Sequence, residues 1–219
     1  MRTPVILLTA LLTLSLTACG GAPTPESTFA DPDPAPTETA TPTPEPDPST
    51  IVARVDVSTL SMVIVAADDS TIDELSVYDP AADVIAAFTD AFGAAPAVSD
   101  NGGGLETAPS RVYDWSGFSI IDYEGQTIMN TDFIVVIGAA VVGDVQISAS
   151  GLKIGDPASS AVAAGAVATP FPDYLAIDSV PITGASVGES FEGLAIYTSL
   201  VVAGGSIDRI VAPSPNWGV

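Results

Sequence analysis

The sequence contains no histidine, a single cysteine and only 5 lysine and arginine residues among 219, against 27 aspartates and glutamates. Without histidine the chain lacks the commonest general base and the commonest metal ligand of proteins. One cysteine excludes an intramolecular disulfide and any zinc or iron–sulfur site built from cysteines. The formal net charge of −22 argues against binding nucleic acid or anionic lipid headgroups, because both need a basic surface. Hydrophobic residues nevertheless make up 47% of the chain, which is not the composition of a disordered protein.

The first 20 residues have the pattern of an export signal. Arg2 supplies a small positive region, and residues 5–16 form an apolar stretch interrupted only by Thr, Ser and Ala. At about 12 residues this stretch is shorter than the roughly 20 that a transmembrane helix needs. It ends in Leu16-Thr17-Ala18-Cys19, an aliphatic residue and two small residues before the cysteine. The pattern predicts a signal peptide over residues 1–18.

This motif resembles the lipobox of bacterial lipoprotein precursors, and all four of its positions match. The resemblance implies cleavage between Ala18 and Cys19, a thioether-linked diacylglycerol on Cys19, and a further acyl chain such as palmitate on the new amino terminus. Two acyl chains anchor a protein stably without a membrane span. The location implied is the extracytoplasmic face of the cell membrane, of the Gram-positive type. The alternative is that Cys19 is an ordinary small residue in a conventional signal peptide.

Residues 19–50 combine this cysteine with a segment rich in proline, threonine and acidic residues, in which Phe29 is the only sizeable apolar side chain. Repeated prolines remove backbone donors and favour extended polyproline II over packed structure. We therefore expect a disordered tether that holds the folded domain away from the membrane. The alternatives are a proline-rich ligand and an O-glycosylated segment.

Residues 51–219 are expected to form one globular domain made mostly of strands. Segments rich in Val, Ile and aromatic residues, bounded by Gly, Pro, Asn or Asp, predict strands over residues 51–57, 60–66, 72–78, 111–123, 133–137, 145–154, 174–182, 191–202 and 207–211. Asp79-Pro80 begins a helix, with Asp79 as its cap, and Gly93 ends it. Asp156-Pro157 begins a shorter helix that extends to about Ala164.

Two pairs of segments point to an internal duplication. Residues 75–81 (LSVYDPA) align with residues 152–158 (LKIGDPA) at an offset of 77, and residues 115–120 align with residues 191–196 at an offset of 76. A period this long indicates a duplicated structural unit and not a solenoid. The expected fold class is α+β, with duplicated β-α-β-β units over about residues 60–140 and 141–219. They are expected to form a mainly antiparallel sheet with helices on one face. The alternative is that the two units pack separately.

Tandem units of this length and element order are similar to those of the secreted β-lactamase-inhibitor proteins and of small lipoproteins with related units. The likeness is confined to repeat length and element order. The disulfide pairs of the inhibitor family have no counterpart in a chain with one cysteine. The resemblance therefore implies a layout and not inhibition.

Two serine motifs lack the partners that their chemistry needs. Residues 184–188 match the pattern G-x-S-x-G around Ser186, but no histidine is present to take the serine proton. Ser150 and Lys153 spell S-x-x-K and residues 99–101 spell S-D-N, two elements of the serine β-lactamases. Their order is reversed, and K-T-G is missing because Lys153 is the only lysine. We expect no serine catalysis.

Carboxylates leave a second chemistry open. Those that flank the aromatic strands are Asp114, Asp122, Glu124, Glu189 and Glu192. Two carboxyl groups about 5 to 9.5 Å apart in an aromatic cleft are the arrangement of a glycosidase. Solvent-facing positions of half-exposed strands explain the same pattern.

A dense acidic turn offers oxygen ligands that suit Ca²⁺. Its residues are Asp68, Asp69, Asp73 and Glu74. EF-hand spacing and the glycine of its sharp turn are both absent, so we expect a solvated turn and no metal.

The function favoured by these observations is that of a non-enzymatic binding module: a cell-surface lipoprotein that contacts another protein or a cell-wall component. No cofactor is expected beyond the acyl chains on Cys19, and no nucleic acid. The aromatic residues expected on the binding surface are Tyr113, Trp115, Tyr123 and Phe191. The alternatives are a carboxylate-dependent cell-wall hydrolase and a small solute- or cation-binding lipoprotein.

Overall fold

The computed structural model describes residues 46–103, 108–123, 131–181 and 195–215, all of which belong to one unit, Pro44–Val219. The predicted signal peptide, Cys19 and almost all of the predicted tether lie outside the described residues. Within the segment predicted as tether, Pro48–Thr50 form a 3-10 turn. The Asp47 carboxylate caps this turn by accepting a hydrogen bond from the Ser49 backbone N–H at 3.0 Å, and the pKa of Asp47 is lowered by its bonds to Ser49.

The described residues contain strands throughout and two helices. The strands are β1 (Val52–Val57), β2 (Ser61–Ala66), β3 (Thr71–Ser76), β4 (Ala97–Asn101), β5 (Ser110–Asp114), β6 (Phe118–Asp122), β7 (Phe133–Ile137), β8 (Val141–Val142), β9 (Val145–Ala149), β10 (Val167–Ala168), β11 (Tyr174–Pro181), β12 (Ala195–Ala203) and β13 (Ser206–Pro215). The helices are α1 (Ala81–Phe92), between β3 and β4, and α2 (Ala158–Ala163), between β9 and β10.

The strands form two sheets. An eight-stranded antiparallel sheet has the order β10-β11-β12-β13-β7-β6-β5-β4, and a five-stranded sheet has the order β3-β2-β1-β9-β8. In the five-stranded sheet β1 and β9 run parallel, and the other pairs are antiparallel. The prediction of a mainly antiparallel α+β fold is confirmed. The prediction of one sheet is wrong, because β1, β2, β3, β8 and β9 pair among themselves.

One hydrophobic core is shared by both sheets and both helices. Strand alternation supplies much of it, since the alternate residues Phe118 and Ile120 of β6 and Phe133, Val135 and Ile137 of β7 are buried. The α1 side chains Val84 and Phe88 are fully buried in the same core. These two residues, about one helical turn apart, mark the face of α1 that packs against the core.

Both Asp-Pro-Ala segments begin a helix, but the aspartates do not cap it as predicted. Each helix has its proline at the N-cap position, with no side-chain cap. The Asp79 carboxylate instead accepts a hydrogen bond from the Ser76 backbone N–H at 2.7 Å. The Asp156 carboxylate accepts the equivalent bond from the Lys153 N–H at 2.8 Å. Both aspartates thus close the turn that leads from a strand into a helix.

Two segments predicted as single strands are interrupted by turns. In each, two residues with positive φ form the loop: Ser116 and Gly117 between β5 and β6, and Ser150 and Gly151 after β9. Positive φ at both loop positions matches the right-handed twist of flanking strands, which is why such turns close hairpins. The Val, Ile and aromatic residues around each Ser-Gly pair favour a strand, so the sequence pattern predicted one continuous strand across each turn.

Gly117 is the more restrictive of these turn positions. Its φ is +113°, and a Cβ placed there would lie 2.6 Å from the Ala139 Cβ. We expect Gly117→Ala to lower the free energy of unfolding by about 2–4 kcal/mol, from overpacking together with the strain of positive φ. Gly143→Ala is the matched control, since Gly143 also has positive φ, +58°, but open space around it. It should lose only about 1 kcal/mol. Equal losses in urea unfolding of the two variants would contradict the steric explanation.

Candidate binding face

One row of directly paired residues crosses all eight strands of the larger sheet. From β4 to β10 its members are Ala97, Asp114, Ser119, Val136, Val211, Ser199, Ala176 and Val167. Paired residues lie on the same face of a sheet, and their neighbours along the strand lie on the other. Those neighbours include Phe118, Val135 and Ile210, which are fully buried in the core. The row therefore defines the face opposite to these core residues, called here the outer face, although its members Ser199 and Ala176 are themselves buried.

The outer face is aliphatic at its centre. A second row on it joins Val112, Ile121 and Ile134, all of them half-buried. Val136 and Val211 pair beside it and are also half-buried. The exposed face of an antiparallel sheet is commonly polar. Here the middle strands carry branched apolar side chains on both faces.

Exposed apolar residues extend this face at the β10 edge. Phe171 and Tyr174, in and after the β10–β11 turn, form an edge-to-face pair with ring centroids 5.9 Å apart. They are 52% and 38% exposed, and Val167 of the outer row is 60% exposed. Tyr174 pairs with Val201, and Val201 pairs with Arg209. Tyr174, Val201 and Arg209 therefore lie on the outer face. Val167, Phe171 and Tyr174 are called here the aromatic edge.

The assignment of Trp115 to a binding surface is wrong. Trp115 is only 4% exposed and packs with Phe88, Phe92 and Phe118. Its indole N–H donates to the Ala94 carbonyl oxygen at 2.9 Å, so its polar group is satisfied inside the protein. Trp115 is a core residue because α1 and the segment after it cover the β5–β6 turn.

The other predicted aromatic residues divide between the two faces. Tyr113 is paired with the buried Ile120 and packs against the core, so it is not on the outer face either. Tyr123 directly follows β6, and its backbone N–H donates to the Asp132 carbonyl oxygen at 3.0 Å. Strand alternation places Tyr123 on the side of the outer face, where it is half-buried and burial raises its pKa. Phe191 lies outside the described residues.

The aromatic edge was missed by the sequence analysis. Phe171 stands between Pro170 and Pro172, a context that marks a turn and says nothing about burial. The Thr169 side chain holds this turn, because its hydroxyl oxygen accepts the Phe171 N–H at 3.2 Å and its hydroxyl donates to the Tyr174 carbonyl at 3.1 Å. An aromatic residue flanked by prolines between two short strands is the signal that points to an exposed hairpin tip.

Asp114 and Asp122, the two described members of the predicted carboxylate set, are not brought together by the fold. Asp114 lies on the outer face and accepts hydrogen bonds from the Gly117 N–H at 3.2 Å and the Ser119 hydroxyl at 2.7 Å. Asp122 pairs with Arg111 at the other end of the same hairpin. Strand alternation places Asp122 on the opposite face from Asp114. Glu124, Glu189 and Glu192 lie outside the described residues.

The acidic turn is held by local hydrogen bonds. Asp68 accepts bonds from the Ser70 N–H at 3.0 Å and the Ser70 hydroxyl at 2.6 Å, which lower the pKa of Asp68. Asp69 accepts a bond from Arg54, and Asp73 accepts the Glu74 N–H at 2.9 Å. Within residues 46–103, 108–123, 131–181 and 195–215, no group of three or more acidic, cysteine or histidine side chains is placed to hold a metal ion.

The serine motifs are not brought together by the fold. Ser150 donates to the Asp178 carboxylate, whereas the Lys153 ammonium donates to the Gln146 side-chain oxygen at 2.8 Å. The expectation that Lys153 lies in a strand is wrong, because β9 ends at Ala149. Asp100, of the S-D-N segment, forms an ion pair with Arg111 across β4 and β5 at 2.8 Å. Ser186 lies outside the described residues.

Comparison of the chain with models of known protein families, with curated proteins and with solved structures finds no match in any of the three. None of the helices in the described part of the chain is long and apolar enough to cross a membrane.

Proposed function

We propose that this chain is an exported, lipid-anchored surface protein whose folded domain binds an envelope protein without catalysis. The observation that supports binding is the outer face of the eight-stranded sheet, with its aliphatic centre and exposed aromatic edge. Exposed apolar patches mark interaction sites in soluble domains, and the aromatic edge presents three exposed apolar side chains. Tyrosine and other aromatic residues are also among the groups that contribute most of the energy of protein interfaces.

The anchor belongs to the same proposal. It is supported by the four matching lipobox positions up to Cys19 and by the proline-rich segment that follows them. A domain held on a long tether at the extracytoplasmic face samples partners on neighbouring proteins and in the wall. Binding, and not chemistry, is the activity that such a placement favours.

We also propose that the domain arose by duplication. From β2 to β7 the element order is strand, strand, helix and four strands, and it recurs from β8 to β13. These two runs begin at Ser61 and Val141, close to the predicted unit boundaries. The four last strands of each run form one half of the eight-stranded sheet, and the halves meet where β7 pairs with β13.

Local geometry supports this correspondence. The hydrogen bonds from Ser76 to Asp79 and from Lys153 to Asp156 are equivalent at the offset of 77. The correspondence does not extend to the five-stranded sheet. On one side of β1 lies β2, the first strand of its run, whereas on the other side lies β9, the second strand of its run. The repeating unit proposed is thus β-β-α-β-β-β-β, longer than the β-α-β-β predicted from sequence. We also keep, as part of this proposal, the similarity between the layout of these tandem units and that of the β-lactamase-inhibitor proteins.

Capture of a partner from envelope extract tests the binding role. The bait is the chain from Gly20 onward, which retains every core residue described above. We expect the double variant Phe171→Ala, Tyr174→Ala to reduce the captured partner about tenfold or more, because interface aromatics contribute about 2 kcal/mol or more when truncated.

The matched control is Tyr78→Ala, since Tyr78 is 56% exposed but lies between β3 and α1, outside the eight-stranded sheet. It should capture the partner as the unmodified chain does. Equal loss in the control, or full capture by a further variant with Val136→Asp at the centre of the outer face, would rule out this face as the binding surface.

A further inference from the structure

A groove lies between α1 and the strands of the five-stranded sheet. Its volume is about 300 Å³. Val52, Ile64 and Ile72 line it from β1, β2 and β3, and Ala87 and Ala91 line it from α1. This is the lower end of the volumes, roughly 300–1,000 Å³, in which proteins bind small molecules.

The groove exists because α1 has small side chains where it faces the strands. Ala87 and Ala91 are one helical turn apart, so they lie on the same stripe of the helix. Larger side chains on the neighbouring stripe, Val84 and Phe88, fill the core and hold the helix in place. The space left beside the two alanines has apolar walls and a fixed width.

Two of the three polar residues that line the groove are aspartates. Asp73 contributes one carboxylate from β3, and Asp90 contributes the other from α1, so they reach the groove from different elements. Both side chains are exposed. Thr50 supplies the remaining polar group from the 3-10 turn. An apolar space with two negative groups at its opening is complementary to an apolar molecule that carries a positive charge.

We propose that this groove binds a small organic ammonium ion, with its apolar body against Ile72, Ala87 and Ala91 and its amine between Asp73 and Asp90. A free small molecule is the occupant that suits a space of about 300 Å³, because pockets for small molecules begin at about this volume. The strongly acidic chain, with a net charge of −22, also raises the local concentration of cations. The site is separate from the outer face and does not rest on the function proposed above.

The test uses three probes that share a phenyl body and differ in charge: phenethylammonium, 2-phenylethanol and phenylacetate. Each is titrated into the isotopically labelled chain from Gly20 onward, and the backbone amide signals of Ala87 and Ala91 are followed by NMR. We expect phenethylammonium to bind about tenfold more tightly than the alcohol, since each exposed ion pair contributes up to about fivefold. Phenylacetate should bind the least.

Two variants separate charge from shape. Asp73→Asn with Asp90→Asn should bring the ammonium probe to the affinity of the alcohol, whereas Ala91→Leu should fill the groove and abolish binding of all three probes. Asp144→Asn, which removes one exposed carboxylate in the β8–β9 turn at the far edge of the sheet, should leave binding within twofold. The same spectra verify that each variant is folded.

Three results would overturn the proposal: no shift of the Ala87 and Ala91 amides at millimolar phenethylammonium, equal affinity for the alcohol, or an equal loss in Asp144→Asn. None of them bears on the capture of a protein partner by the outer face, so the two proposals fail independently.

Discussion

Replacing Phe88 with alanine is expected to lower the free energy of unfolding by about 3–5 kcal/mol. Phe88 is 0% exposed and lies on α1 at the centre of an aromatic cluster. Its ring centroid is 4.6 Å from that of Phe118, 5.7 Å from that of Phe92 and 6.3 Å from that of Trp115. Truncation removes the apolar contacts of the side chain and leaves a cavity that rigid strands on one side and a helix on the other cannot close. The loss is large because α1 is attached to the core mainly through this face.

Urea unfolding followed by tryptophan fluorescence measures the change, with Trp115 reporting directly on the cluster. The matched control is Phe171→Ala, which removes the same side chain from a position that is 52% exposed. The control should shift stability by less than about 0.5 kcal/mol. A similar loss in both variants would show that α1 does not anchor the core through Phe88.

Local patterns were sufficient to predict most elements of this fold. The strand predicted over residues 133–137 matches β7 residue for residue, and Gly93 ends α1 in the left-handed conformation as expected. Both signals are local: alternation of apolar side chains in the first case, and the freedom of glycine to adopt positive φ in the second. α2 begins at Ala158, next to the start predicted at Asp156-Pro157, because proline is favoured at the beginning of a helix, which is also a local signal.

Pairing between distant segments was not predictable from these patterns. The parallel pair of β1 with β9 joins residues such as Val55 and Ile147, which are remote in sequence. Nothing in the residues of either strand specifies the partner, so the second sheet was missed. The edge strand β4 was missed for another reason: all its residues are exposed, and a strand without a buried face has no hydrophobic period to detect.

The candidate binding face was likewise predictable only in part from local patterns. Alternation indicates which residues of a strand share a face, but not which face is covered. Trp115 and Tyr113 were expected outside because they alternate with polar residues, yet α1 packs over their face. Phe171 was not considered because its proline-rich turn contains no strand pattern, and the strand predicted from Tyr174 onward did not show that Tyr174 is exposed. Burial of an aromatic residue in this domain depends on where α1 packs, which is a property of the assembled fold.

The largest effect on where the protein resides is expected from Cys19→Ala, which should abolish lipid attachment completely. In the proposed lipoprotein the thioether bond to diacylglycerol forms through the cysteine sulfur, and Cys19 is the only cysteine of the chain. No other thiol is available to take its place. Two acyl chains hold a protein on a membrane because each buried CH₂ contributes about 0.8 kcal/mol. Without them an acidic chain has no attraction to anionic lipid headgroups.

Growth with isotopically labelled palmitate and mass measurement of the purified chain test this prediction. The unmodified chain should incorporate label, and its mass should equal residues 19–219 plus the acyl groups. The Cys19→Ala chain should carry neither label nor added mass, and Ser27→Ala, a change of similar size in the adjacent segment, should behave as the unmodified chain. If Cys19 were an ordinary residue of a conventional signal peptide, the unmodified chain itself would lack the label. Label retained in the Cys19→Ala chain would place the lipid elsewhere and contradict the lipobox assignment, because acylation would then not depend on the sulfur.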